Sequence, residues 1–266
     1  MTRCVFFVSD STAITSKGLG TSLLSQFDIN FKEHLRPYIN TKNKIFELLN
    51  DIKRAHQESG EPPIVFASMM DDELMQQLSA GFSGVIDIFR PFMPKLELLI
   101  DKKSSKQVGQ AHKVGNEHLY QKRVAAIDFS LATDDGLKTK DYNQADLILL
   151  GVSRSGKTPT ALYLALNFGL KVANYPFTSE DFPVFSLSKD HLNNKKKLVG
   201  LIISPQRLLN IRRSRYSIGN YADPQIIEKE LNALKSLFEK ESIPFVDTTT
   251  RSVEEIAARI MAILQE

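Results

Sequence analysis

The chain has 266 residues, 42% apolar and 24% charged, a composition that fits a soluble globular protein with one large or two ordinary domains. A single cysteine, Cys4, excludes an internal disulfide, and the apolar start "CVFFV" is too short for a signal peptide or a membrane span, so the expected location is the cytoplasm. The net charge is only +3, but residues 189–215 hold eight Lys and Arg against the single acid Asp190, leaving the rest of the chain net negative. A cluster this local points to a phosphate-bearing ligand more than to a nucleic-acid groove, and leaves both open.

In chain order, "RCVFFVS" at 3–9 reads as a buried strand. "KGLGTSLLSQF" at 17–27 follows as a helix with Leu19, Leu23, Leu24 and Phe27 at helical spacing. Residues 43–55 form a second helix with Ile45, Leu48, Leu49 and Ile52 on one face. Then come a strand over 62–68, a short helix over 71–80 with acids in its first turn, a strand over 84–89 and a helix over 93–101. Residues 101–115 lack apolar periodicity and read as a linker or mobile loop. The helix over 116–132 carries Leu119, Arg123, Ile127 and Leu131 four apart, has Asn116 as a candidate cap, and ends in the turn signal "DDG" at 134–136.

The second half begins with the strand "DLILLG" at 146–151. Further strands are read at 170–176, 182–188, 197–204 and 243–250. Helices are read from Ser204–Pro205, from Asp223–Pro224, and from Ser252 with its capping-box partner Glu255. Alternating strands and helices predict an α/β fold: a parallel-sheet N-terminal domain, 1–110, and a P-loop kinase-like domain, 111–266.

Four places could carry chemistry. Gly151, Val152, Ser153, Arg154, Ser155, Gly156, Lys157 and Thr158 spell the full phosphate-loop pattern between a buried strand and a helix. The glycines let backbone amides converge on phosphate oxygens, Lys157 adds charge, and Thr158 offers a hydroxyl to magnesium. Arg207, Arg212, Arg213 and Arg215 form either an arginine lid over a transferring phosphate or a solvated helix face. The expected acid is missing after the strand at "IIS", 202–204, and Asp247 sits on the apparent last strand. Asp134 and Asp135 could hold metal or take a proton, or merely end a helix. Ser9, Asp10, Ser11 and Thr12 lie where parallel sheets bind ligands, but also read as a cap cluster. The histidines, His112 and His118 included, show no metal spacing.

Taken together and in order, "FFVSDSTAIT", "AIDFSLATDDG", "GVSRSGKTPTALYLA", "VANYPF", "RLLNIRRSR" and "DTTTRSVEEIA" resemble the bacterial phosphoenolpyruvate synthase regulatory proteins and the related regulators of pyruvate, phosphate dikinase. The intact Gly156-Lys157-Thr158 and "NYPF" look more like the synthase branch. The resemblance implies a bifunctional enzyme. One activity phosphorylates a threonine of the synthase with ADP, leaving AMP; the other uses inorganic phosphate to remove that phosphoryl group as pyrophosphate. It implies ADP and phosphate as substrates and the synthase as protein partner; from the residues themselves, magnesium is the expected cofactor and Lys157 with Asp135 or Asp134 the expected catalytic groups, with neither nucleic acid nor membrane as partner. A homodimer stays open as the assembly. The rival readings are a dikinase regulator of the same chemistry, a P-loop small-molecule kinase, and a nucleotide sensor without catalysis.

Overall fold

The structure, a computed structural model, describes residues 2–108, 117–178, 185–215 and 220–265, with the side chains at 117, 118, 215 and 220 outside that description. The chain divides into two compact units, Met1–Lys113 and Val114–Glu266, each built on its own four-stranded parallel sheet.

The first unit runs β1 (Thr2–Ser9), α1 (Ile14–Leu24), β2 (Asn30–Arg36), α2 (Lys42–Ser59), β3 (Ile64–Ser68), α3 (Asp72–Gly81), β4 (Val85–Asp87) and α4 (Met93–Ile100). Its strand order is β2-β1-β3-β4, with Phe6 level with His34 on one side and Val65 on the other. β1 is apolar on both faces because both are covered. Cys4, Phe6 and Val8 pack against Ile45, Leu48 and Ile52 of α2 and Leu74, Met75 and Leu78 of α3. Val5 and Phe7 meet Leu24, Phe66 and Ile88 on the opposite face. Each such side chain contributes about 1.5–3 kcal/mol through burial.

Two expectations for this unit are corrected. α1 does not bury Leu19, Leu23 and Phe27, which are exposed; its inner face is Ser16, Gly20 and Leu24. A Cβ at Gly20 would stand 2.5 Å from the Phe7 ring, so the helix lies too close to the sheet for a larger residue there. β2 is an additional strand. It sits at the sheet edge, exposes most of its residues and lacks the apolar run that marks a buried strand.

The second unit runs α5 (Glu117–Ala132), two 3-10 turns (Asp134–Gly136 and Thr139–Gln144), β5 (Leu147–Val152), α6 (Lys157–Phe168), β6 (Val172–Phe177), α7 (Lys189–Asn193), β7 (Leu198–Ile202) and α8 (Pro205–Arg215). It continues with α9 (Pro224–Glu241), β8 (Phe245–Asp247) and α10 (Val253–Ile263). The strand order is β6-β5-β7-β8. β5 is buried along its whole length. Ile148, Leu150 and Val152 share a core with Ile227, Leu234 and Phe238 of α9, while Leu147 and Leu149 pack with Ala161 and Leu164 of α6 and Ile256 and Ile260 of α10.

Here too two expectations change. The α5 stripe of Leu119, Arg123, Ile127 and Leu131 does not face the core; Leu119, Arg123 and Leu131 are exposed, and the buried positions are Ala126 and Ser130. α5 packs along α6 and β6, where small residues allow close approach, and the Ser130 hydroxyl accepts a hydrogen bond from the Val172 amide at 3.2 Å. Asn116 lies outside the described residues. No strand forms over 185–188: Phe185 packs its ring 5.0 Å from that of Phe177, and Ser188 caps α7; the rest of that expected strand, 182–184, lies outside the described residues. Among the described residues no helix is long and apolar enough to cross a membrane.

Candidate active site

β5 delivers the chain into the loop Gly151–Thr158 at the carboxyl end of the second sheet, the end where open parallel sheets bind ligands. Gly151 is required by close approach, since a Cβ would fall 2.5 Å from the Ser155 hydroxyl and 2.9 Å from the Leu201 carbonyl. Arg154 (φ 74°) and Gly156 (φ 95°) are both left-handed, so the loop turns back twice before α6 begins. Gly156 caps α6 with no side-chain bond, which leaves the first-turn amides and the positive end of the helix dipole for an anion. The loop is braced from the far edge of the sheet: the Thr248 hydroxyl lies 3.1 Å from both the Ser155 and Ile202 carbonyls.

Lys157 is 4% exposed, and its ammonium donates to the Val152 carbonyl at 2.9 Å. Burial pushes its pKa down from 10.5 to about 8; Asp135 and Asp134 oppose the shift, and Arg154 and Arg212 add to it.

The acid absent after β7 comes from the other side of β5. The turn Asp134–Gly136 is held at the loop by Asn174, which is fully buried on β6. Asn174 donates its amide to the Asp134 carboxylate and accepts from the Asp135 amide at 3.1 Å. The Thr158 hydroxyl donates to the same Asp134 oxygen at 2.9 Å. Asp135 (φ 49°) instead lines a cavity of about 280 Å³ with Ser153, Arg154, Gly156, Lys157, Thr158, Pro159 and Ile211. Two of the candidate regions thus meet, the phosphate loop and the aspartate turn, with Ile211 of α8 beside them.

The four arginines are not gathered into one lid. Arg207 and Arg213 are exposed on α8, and the Arg215 side chain lies outside the described residues. Arg212 turns inward and is 2% exposed. It pairs with Glu230 at 2.8 Å, donates to the Tyr221 carbonyl at 3.1 Å and stands 4.5 Å from the Tyr221 ring. A buried guanidinium so partnered is a strut under the loop rather than a closing flap, because leaving Glu230 would strand both charges. Asp247 is exposed, with its carboxylate taken by the Thr249 amide and hydroxyl at 2.8 and 2.6 Å.

In the first unit, residues 9–12 do not form the expected cap cluster, since Ala13 caps α1 without a side-chain bond; Ser9 and Asp10 instead tie the end of β1 to the end of β3. Ser9 donates to the Ser68 carbonyl at 2.9 Å, the Ser11 amide donates to Ser9, and Asp10 accepts the Met70 and Asp71 amides. Among the described residues no group of three or more His, Cys, Asp or Glu could hold a metal; His112 and the His118 side chain lie outside them. Asp134 and Thr158 are nonetheless a donor pair suited to magnesium, which takes one or two protein oxygens and completes its shell with phosphate and water.

Asn174, Tyr221, Glu230 and Thr248 escape sequence reasoning. Asn174 is the one that carried a signal, as a buried amide inside an otherwise apolar strand.

A family model described as kinase/pyrophosphorylase matches residues 5–261. The chain belongs to that family. Curated members are similar over nearly their whole length. A protein of Legionella pneumophila (strain Corby) is 41% identical over 264 residues, 99% of this chain and 97% of its own. One of Marinobacter nauticus is 41% identical over 262 residues, covering 98% and 97%, and one of Laribacter hongkongensis 42% over 261 residues, covering 97% and 95%. Each carries the name "Putative phosphoenolpyruvate synthase regulatory protein". Membership supports kinase-type transferase activity for this chain.

Proposed function

We propose that the chain is a bifunctional regulator of phosphoenolpyruvate synthase in the cytoplasm, using ADP to phosphorylate a threonine of the synthase and inorganic phosphate to reverse that modification. The observation that carries this is the convergence of Lys157, Thr158 and Asp135 on one cavity, with Asp134 clamped beside them.

In the kinase direction the loop amides hold the ADP phosphates and Lys157 stabilises charge on the β-phosphoryl group. The target threonine oxygen attacks the β-phosphorus, that O–P bond forms, and the bond from β-phosphorus to the bridging oxygen breaks. AMP leaves with the bridging oxygen, and Asp135 accepts the threonine proton. Asp135 is suited to this because it faces the cavity, whereas Asp134 already accepts from Thr158 and Asn174. In the other direction an oxygen of inorganic phosphate, held by the same loop, attacks the phosphothreonine phosphorus. Pyrophosphate forms, and the departing threonine oxygen takes a proton from Asp135. Magnesium, held by Thr158 and Asp134 when bound, would neutralise charge on the phosphate oxygens.

Purified protein incubated with the synthase, magnesium and ADP labelled on its β-phosphate should label a synthase threonine, and added phosphate should release the label as pyrophosphate. Labelling from γ-labelled ATP alone, or of pyruvate, phosphate dikinase alone, would overturn the donor or the target respectively.

A further inference from the structure

A second cavity, of about 370 Å³, adjoins the phosphate-loop cavity; Ser153 lines both. Its walls are Phe177 and Thr178 at the end of β6, Tyr221, and Ile226 in the first turn of α9. Its floor is the Arg212–Glu230 pair. The Tyr221 and Ser153 hydroxyls lie 3.0 Å apart and mark the boundary with the first cavity.

Resting on the function proposed above, we propose that this cavity is the docking site of the protein acceptor, taking an apolar side chain that flanks the target hydroxyl. The first argument is direction. In a phosphate loop the lysine reaches the terminal phosphates, and here its ammonium rests on the Val152 carbonyl. The transferring phosphoryl group therefore lies at the Val152–Ser153 end of the loop. What opens beyond Ser153 faces the attacking oxygen, on the side away from the nucleoside. The second argument is charge. Arg212 and Glu230 are both buried and neutralise each other at 2.8 Å, so the floor offers no net charge to a second anion. The third is lining and size. Phe177, Ile226 and the Tyr221 ring make an apolar wall, and the volume lies at the small end of the range for ligand pockets, suited to one large side chain with adjoining backbone. An extended segment seated there would bring its hydroxyl to Asp135 across Ser153.

The test replaces Ile226, which is only partly buried and lies outside the transfer machinery. Ile226→Trp fills the cavity and Ile226→Ser takes its aliphatic part out of the apolar wall; the second variant serves if the first fails to fold. Both should raise the KM for the synthase about tenfold or more, with kcat at saturation and the equilibrium affinity for ADP within about twofold of wild type. Calorimetry should show the same loss in synthase binding without any turnover. An unchanged KM in both variants overturns the docking site, and so does a loss confined to ADP affinity, which would make the cavity a nucleoside pocket. Those results need a wild type that transfers from ADP. A wild type that neither binds nor modifies the synthase instead removes the proposed function, and the docking site falls with it.

Discussion

The two units share a plan and differ in one loop. Both sheets place their first strand second in order, β2-β1-β3-β4 and β6-β5-β7-β8, and both first strands lead into a helix whose cap is left-handed and has no side-chain bond: Ala13 before α1 (φ 61°) and Gly156 before α6 (φ 95°). In the first unit the loop is stitched shut. Asp10 is buried and bonds the Met70 and Asp71 amides, while the Ser9 and Ser11 carbonyls accept from Ile39 and Tyr38. In the second the loop carries Arg154 and a buried Lys157 in place of the buried carboxylate. The topology supplies the place at the strand ends; whether a carboxylate or an ammonium is buried there decides if an anion is welcome.

Substitutions in the two loops should separate sharply. Lys157→Ala is expected to lower transfer in both directions about a thousandfold in single-turnover assays, without loss of thermal stability, because it removes a charged group that burial disfavours. Next in size is a stability effect. Glu230→Gln strands Arg212 and should destabilise the second unit by about 3–5 kcal/mol, seen as faster hydrogen exchange in α8 and α9. The half-exposed Arg36–Asp51 pair of the first unit should yield less than about 1 kcal/mol to Asp51→Asn. Asp135→Asn should lower kcat about a hundredfold with the synthase KM unchanged, whereas Asp134→Asn should raise the magnesium needed for half-maximal rate. Asp10→Ala should cost about 1–3 kcal/mol in urea denaturation and leave transfer per folded molecule unchanged.

A further effect is one of pH. The Lys157 ammonium, with a pKa of about 8, must be charged to hold an anion, so pyrophosphate affinity should fall by up to about tenfold per unit above pH 8. Stability should move the other way. The folded value lies below the ordinary 10.5, so the unfolded chain holds more protons between about 8 and 10.5, and the Lys157 penalty is relieved as pH rises through that window. Parallel slopes in binding and unfolding titrations would contradict this assignment.

The strand, turn and helix around Gly151–Thr158 and most other helices are legible in the sequence because their signals are local: glycine spacing, caps such as Ser252 with Glu255, and the α2 stripe of Ile45, Leu48 and Ile52. What fails is whatever depends on a neighbour. Gly20 and Ala126 face inward because another element comes close, and small residues leave no mark in an apolar periodicity. β2 is hidden by its edge position. Arg212 reads as one of a basic run, and only Glu230, 18 residues later, turns it into a buried strut. Asp134 and Asp135 look equivalent side by side; Asn174, on a different strand, separates the clamped carboxylate from the one facing the cavity.

The Lys157 ammonium already has a partner in the Val152 carbonyl. Anion binding there is an exchange, in which the incoming oxygen displaces a carbonyl. The gain is the difference between two hydrogen bonds plus whatever the amides of α6 add. A monovalent ion that meets only the ammonium gains little, while a chain of phosphates that spans ammonium, amides and the Thr158 hydroxyl gains from all three. On the proposed function, the loop is expected to select di- and polyphosphates over solvent anions.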